Sequence, residues 1–146
     1  MTCFELPRRF DVITCLFSSI GYVKSLSNMR VAVQRMAQHL NPAGVMIIEP
    51  WFMPDHYWTN TITANFVNEH ELKIAWMYTS KRVENVSVLE IHYMVGTPDG
   101  VEEFTERHEI GLFTHEEYLD AMAAAGLRCE FYSETTFGRG LYIGQL

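Results

Sequence analysis

The sequence predicts an α/β fold built from a parallel βαβ unit, an antiparallel β meander, and a closing helix with a hairpin. Three observations carry that prediction. Residues 11–17 and 45–49 are apolar, β-branched runs separated by a helical stripe, the signature of a βαβ unit. The middle of the chain alternates with a period of two, as antiparallel strands do. The last quarter returns to a capped helix followed by two short apolar strands.

Taken in order, residues 1–9 lead in and are separated from the first strand by Pro7, Arg8 and Arg9. Asp11 to Phe17 reads as a strand covered on both faces. Ser18 to Gly21 is then a small-residue loop beyond its carboxyl end, where such sheets present their ligands. Leu26, Met29, Val33, Met36, Ala37 and Leu40 recur at helical spacing. Ser25 or Ser27 caps that helix, and Asn41-Pro42-Ala43-Gly44 ends it. Val45 to Glu49 is the second strand, parallel to the first through a right-handed crossover and stopped by Pro50.

Trp51 to Asn60 is an aromatic loop or short helix. Leu72, Ile74, Trp76 and Tyr78 then share one strand face, and Leu89, Ile91, Tyr93 and Val95 repeat the pattern. Thr97-Pro98-Asp99-Gly100 is a turn, and Phe104, His108, Ile110 and Leu112 line a return strand. Thr114 and Glu117 fit a capping box, and Gly126 stops the helix they begin. Leu127–Tyr132 and Leu141–Gly144 close the chain, with Gly138-Arg139-Gly140 between them. The expected organisation is one domain over 1–146, with 1–50 and 114–146 as its α/β part and 51–113 as an antiparallel insert.

Composition bounds the function. A chain of 146 residues, 48% hydrophobic and 13% aromatic, is globular and long enough for a real core. A net charge of -7 argues against a nucleic-acid backbone or an anionic membrane as partner. Positive charge for a phosphate must come from one or two placed arginines. Cys3, Cys15 and Cys129 are scattered and odd in number, which points to a reducing cytoplasm. No apolar run approaches the length of a membrane span. The six histidines show no metal-ligand spacing, so no metal centre is expected.

Phe10-Asp-Val-Ile-Thr-Cys-Leu-Phe17 resembles the fourth strand of class I S-adenosylmethionine-dependent methyltransferases. Leu40-Asn-Pro-Ala-Gly-Val-Met-Ile-Ile-Glu49 resembles their turn and fifth strand, and residues 113–146 their last helix and hairpin. Phe17 to Tyr22, Glu49 to Phe52 and Gly138 to Leu141 are similar to segments of the TDP-aminosugar N,N-dimethyltransferases of macrolide deoxysugar pathways. The insert segments Glu90–Val95 and Arg107–Phe113 also look like theirs. The resemblance covers the whole chain and implies the C-terminal part of a Rossmann-like methyltransferase fold. One feature departs from it. The family begins with a βαβ half whose glycine-rich turn holds the cofactor, and no GxGxG turn occurs here. By the size of βαβ units, about 80 to 100 residues of the family pattern have no counterpart.

The resemblance implies a site. Its cofactor is S-adenosylmethionine and its acceptor a nucleotide-linked amino sugar or another small molecule. Ser18 and Ser19 would contact substrate or cofactor, and Tyr22 would orient the amine or relay its proton. Sulfonium methyl transfer needs mainly alignment, so Tyr22 and Ser19 are the catalytic candidates. The bland alternative is that Tyr22 packs on the helix after the loop while the serines cap it. Arg139 between two glycines suits a diphosphate, because a guanidinium meets phosphate oxygens bidentately. A solvated hairpin arginine is the alternative. Trp51 and Phe52 would cover a sugar or thymine ring, or serve only as core. Glu49 would bond the acceptor or brace the loop. Phe17 and Met1 are the cofactor-side candidates.

Two functions are consistent with these residues. One is a methyltransferase-like protein, probed by its binding of S-adenosylmethionine. The other is a non-catalytic binding or self-assembly module derived from that fold. In the family the first strand lies against the fourth. Without it, residues 11–17 become an apolar edge strand, and a homodimer through that strand is expected.

Overall fold

In the computed structural model, which describes residues 1–135 and 138–146, the chain divides into two units. One comprises Met1–His56 with Ile110–Leu146, and the other is Tyr57–Glu109. In chain order the elements are β1 (Phe10–Cys15), a 3₁₀ turn (Ser19–Val23), α1 (Leu26–Gln38), β2 (Leu40–Ile48), β3 (Ile62–Asn68), β4 (Lys73–Val83), β5 (Val86–Thr97), β6 (Gly100–Gly111), α2 (His115–Ala124), β7 (Arg128–Tyr132) and β8 (Leu141–Gln145).

The first unit holds a sheet of order β1-β2-β8-β7. β1 and β2 are parallel, with Val12 beside Val45 and Cys15 beside Ile48. β8 runs antiparallel to β2, and β7 antiparallel to β8. The helices between β1 and β2 and before β7 form as their sequences dictate. The Ser25 side chain caps α1 by accepting from Asn28 N–H at 3.3 Å. Thr114 and Glu117 close a reciprocal capping box on α2, at 3.2 and 2.8 Å. Gly126, at φ 83°, ends α2 with Leu127 N–H bonded to the Met122 carbonyl, a Schellman stop.

The core of this unit is Met29, Val33, Met36, Met46, Ile48, Tyr118, Met122 and Tyr142, all buried. Tyr118 and Tyr142 stack at 4.6 Å, and each aromatic of this size removes on the order of 150–250 Å² from water. His39 is a core residue that periodicity did not single out. Its Nε2 accepts from Leu6 N–H at 2.9 Å while Nδ1 bonds the Arg35 carbonyl at 2.7 Å, so the lead-in segment is pinned to the end of α1.

Three expectations need correction. The first strand ends at Cys15, not Phe17, because Phe17 and Ser18 leave the extended region for φ 52° and 59°. It is an edge strand with Val12 56% exposed, so the reading of a strand covered on both faces gives way to the edge strand that the missing family neighbour implied. Burial in this sheet alternates, with Cys15, Met46, Ile48 and Tyr142 inside while Val12, Val45, Ile47 and Ile143 keep some exposure. The second strand starts at Leu40 rather than Val45, because Ala43 at φ 62° lets the Asn-Pro-Ala-Gly stretch bulge within the strand.

The second unit, with β6 running on into the first, is an antiparallel sheet of order β3-β4-β5-β6. β3 carries no clear sequence signal, since its Thr, Asn and Ala give little alternation. The Thr97–Gly100 turn joins β5 to β6 where the proline and glycine place it. Trp76 stacks on Tyr78 at 6.0 Å and Tyr93 on Phe104 at 4.8 Å, along the aromatic face that the alternation marked.

Candidate active site at the carboxyl ends of β1 and β2

Beyond Cys15 the chain turns sharply. Phe17 and Ser18 are consecutive left-handed residues without glycine's freedom, a conformation costing roughly 1–2 kcal/mol each. Strain of this kind gathers at functional sites. The turn is closed by its own backbone bond, Ser19 N–H donating to the Leu16 carbonyl at 3.1 Å, and further bonds tie it to the end of β2. Glu49 N–H donates to the Cys15 carbonyl at 2.9 Å. Phe17 N–H donates to Glu49 Oε2 at 2.7 Å. Ser18 Oγ donates to the Pro50 carbonyl at 2.9 Å.

Ser18 is 2% exposed, so its hydroxyl is a structural tie at the base of the turn. Ser19 Oγ donates to the Leu16 carbonyl at 2.6 Å. Neither serine caps the 3₁₀ turn through its side chain, and Ser25 caps α1. Gly21 has a packing reason, since a Cβ there would strike the Ile110 side chain. Tyr22 is 47% exposed and Phe17 71% exposed, so both rings face outward from this turn. Met1 lies against Cys15 at the same strand end, with its Sδ 3.8 Å from Sγ.

Glu49 ends β2 almost without solvent contact, and its Oε1 accepts from Arg139 Nη2 at 2.5 Å. The arginine arrives from the β7–β8 connection, where Gly138 and Gly140 are both left-handed at φ 66° and 79°. A Cβ at Gly140 would enter the Phe131 ring, so this glycine admits the chain's own aromatic. The Arg139 guanidinium lies 5.7 Å from the Trp51 ring centre and 5.8 Å from that of Phe52. Those rings meet edge to face at 4.8 Å. Phe17, Glu49, Arg139, Trp51 and Phe52 are therefore one contiguous cluster, joined to Ser18 through Pro50.

The groups beneath are apolar and hold their protons. Burial pushes the Cys15 thiol up to about 11. Burial likewise raises the Tyr118 hydroxyl, with Tyr142 adding to the shift and a bond to the Trp51 backbone opposing it. Among the described residues no three His, Cys, Asp or Glu side chains gather to hold a metal. No helix among them is long and apolar enough to cross a membrane. A separate groove of about 460 Å³ lies on the second unit, lined by Ala75, Met77, His92, Tyr93, Met94 and Phe104 among others. None of these residues stood out as a site in the sequence.

No family model matches the chain. It is 38% identical over 145 residues to the dTDP-3-amino-3,6-dideoxy-alpha-D-glucopyranose N,N-dimethyltransferase of Streptomyces fradiae, covering 99% of this chain and 57% of that protein. Its fold superposes on Streptomyces venezuelae DesVI with a TM-score of 0.94 at 37% identity, over 98% of this chain and 61% of that one. It superposes on the S-adenosylmethionine-bound amino pentose methyltransferase of Micromonospora echinaspora, involved in calicheamicin biosynthesis, with a TM-score of 0.89 at 33% identity. Here too it covers 99% of this chain and 61% of the other. The chain thus spans about three fifths of the proteins it matches.

Proposed function

This chain is homologous to the dTDP-aminosugar N,N-dimethyltransferases over about three fifths of their length, and we propose that it carries the acceptor side of S-adenosylmethionine-dependent methyl transfer to the amine of a nucleotide-linked amino sugar. One observation carries the reading. A strained turn, a buried carboxylate, an arginine and two aromatic rings converge beyond the carboxyl ends of two parallel strands, where open α/β sheets bind ligands.

Each residue has a task in this reading. Tyr22 stands outward from the turn and orients the acceptor amine, with the Ser19 oxygen as a second acceptor for its N–H. Ser18 keeps the turn closed beneath them. Trp51 and Phe52 cover the sugar or base ring. A guanidinium has five donors, so Arg139 serves a diphosphate oxygen as well as Glu49. Bound S-adenosylmethionine supplies an electrophilic methyl group, which leaves the protein mainly the alignment of the amine. The open Phe17 ring fits the aromatic part of that cofactor, and Met1 borders the same strand end. The glycine-rich turn that the resemblance assigns to its methionine part has no counterpart in the sequence, so these two residues are this chain's share.

The open β1 edge favours an additional role. We infer that two copies associate through residues 11–17, and the same edge would serve a non-catalytic assembly module. Three free thiols support a reducing cytoplasm as the setting. Mass spectrometry of a dTDP-linked amino sugar incubated with the chain and S-adenosylmethionine tests the main reading. Methylated amine is expected. Absence of both methylation and binding of the sugar nucleotide would contradict it.

A further inference from the structure

Phe17 and Ser18 form a left-handed turn closed by the Ser19 N–H to Leu16 carbonyl bond at 3.1 Å, and polar contacts to the end of β2 fix where it sits. Phe17 N–H points at Glu49 Oε2, a charge-assisted bond at 2.7 Å. The second oxygen of the same carboxylate receives Arg139. Glu49 is 5% exposed, and burying a carboxylate costs free energy unless donors compensate it. Arg139 is that compensation, delivered from a loop 90 residues away.

We propose that Glu49 is a positioning residue: its carboxylate sets the left-handed Phe17–Ser18 turn, and Arg139 locks that carboxylate in place. The Phe17 ring and the Arg139 guanidinium are then presented together, through one shared anion. The inference rests on the proposed acceptor-side role for what Phe17 and Arg139 meet. Its own content is ligand-free, so it can fail while methyl transfer stands, and the reverse.

Amide hydrogen exchange resolved by ¹⁵N NMR reads this directly, on the whole chain without ligand. The Glu49→Ala variant is expected to speed exchange at Phe17 by about tenfold or more, while Met46 and Ile47 inside β2 change little. Glu49→Gln keeps an acceptor oxygen and is expected to restore most of the protection. Arg139→Gln is expected to move the Phe17 amide in the same direction as Glu49→Ala. Unchanged Phe17 exchange in Glu49→Ala and Arg139→Gln overturns the proposal. So does a rise shared equally by Met46 and Ile47, which marks general loosening. Should Glu49→Ala fail to fold, the Phe17 amide proton shift in Glu49→Gln and Arg139→Lys decides. A displaced resonance supports the lock, and an unmoved one overturns it.

Discussion

Arg139 Nη2 donates to Glu49 Oε1 at 2.5 Å, with the two side chains only 14% and 7% exposed. Removing one member of a buried pair strands the other charge, at a cost of roughly 3–5 kcal/mol. Arg139→Ala should therefore lower the unfolding free energy by about that much in urea denaturation. The Glu49→Gln, Arg139→Gln double variant should lose less than the sum of its singles, with a coupling of about 1–3 kcal/mol. Additive losses would show that the pair does not act as one.

The two glycines around Arg139 should differ. Both are left-handed, but a Cβ at Gly140 meets the Phe131 ring, while among the described residues nothing lies within 4 Å of one at Gly138. Gly138→Ala should cost about 1–2 kcal/mol of backbone strain. Gly140→Ala should cost that plus about 1–3 kcal/mol of overpacking. Thermal unfolding of both variants gives the ranking, and equal losses would contradict it.

Alkaline pH should weaken the first unit. Burial lifts the Cys15 thiol from 9.0 to about 11, so the folded chain holds this proton more tightly than the unfolded one. The stability it contributes is complete below about pH 9 and is lost as pH rises towards 11, by about 3 kcal/mol at most. Buried Tyr118, also raised, acts in the same direction. Cys15→Ala should flatten the decline in denaturant titrations between those pH values. An unchanged slope would remove Cys15 as a cause.

The β1 edge should govern association. Val12 is 56% exposed on a strand that, among the described residues, has only β2 beside it. Light scattering at tens of micromolar protein should show a dimer, and Val12→Lys should return it to monomer by charging the edge. A stable monomer of the parent chain would contradict the dimer.

Much of this architecture is legible because short-range chemistry writes it. The βαβ crossover, the Thr114–Glu117 box, the Gly126 stop and the Pro98–Gly100 turn depend on residues within a few positions of one another. The departures come from contacts that no local pattern encodes. Phe17 reads as the end of a strand, yet the Glu49 carboxylate pulls its amide into a left-handed turn. Asn41 to Gly44 reads as a turn, yet pairing with β1 draws the stretch into a bulged strand. Arg139 reads as a hairpin arginine or a phosphate ligand, and its tie to Glu49 is not visible across 90 residues. Gly21 suggests ligand approach, and the side chain that needs the space is Ile110.

Calorimetric titration of a dTDP-linked amino sugar into the parent chain and into Arg139→Gln tests the acceptor-side claim most directly. The account predicts saturable binding to the parent and a loss of about tenfold or more in the variant. No binding to the parent at millimolar sugar nucleotide, or equal affinity in both, would contradict it.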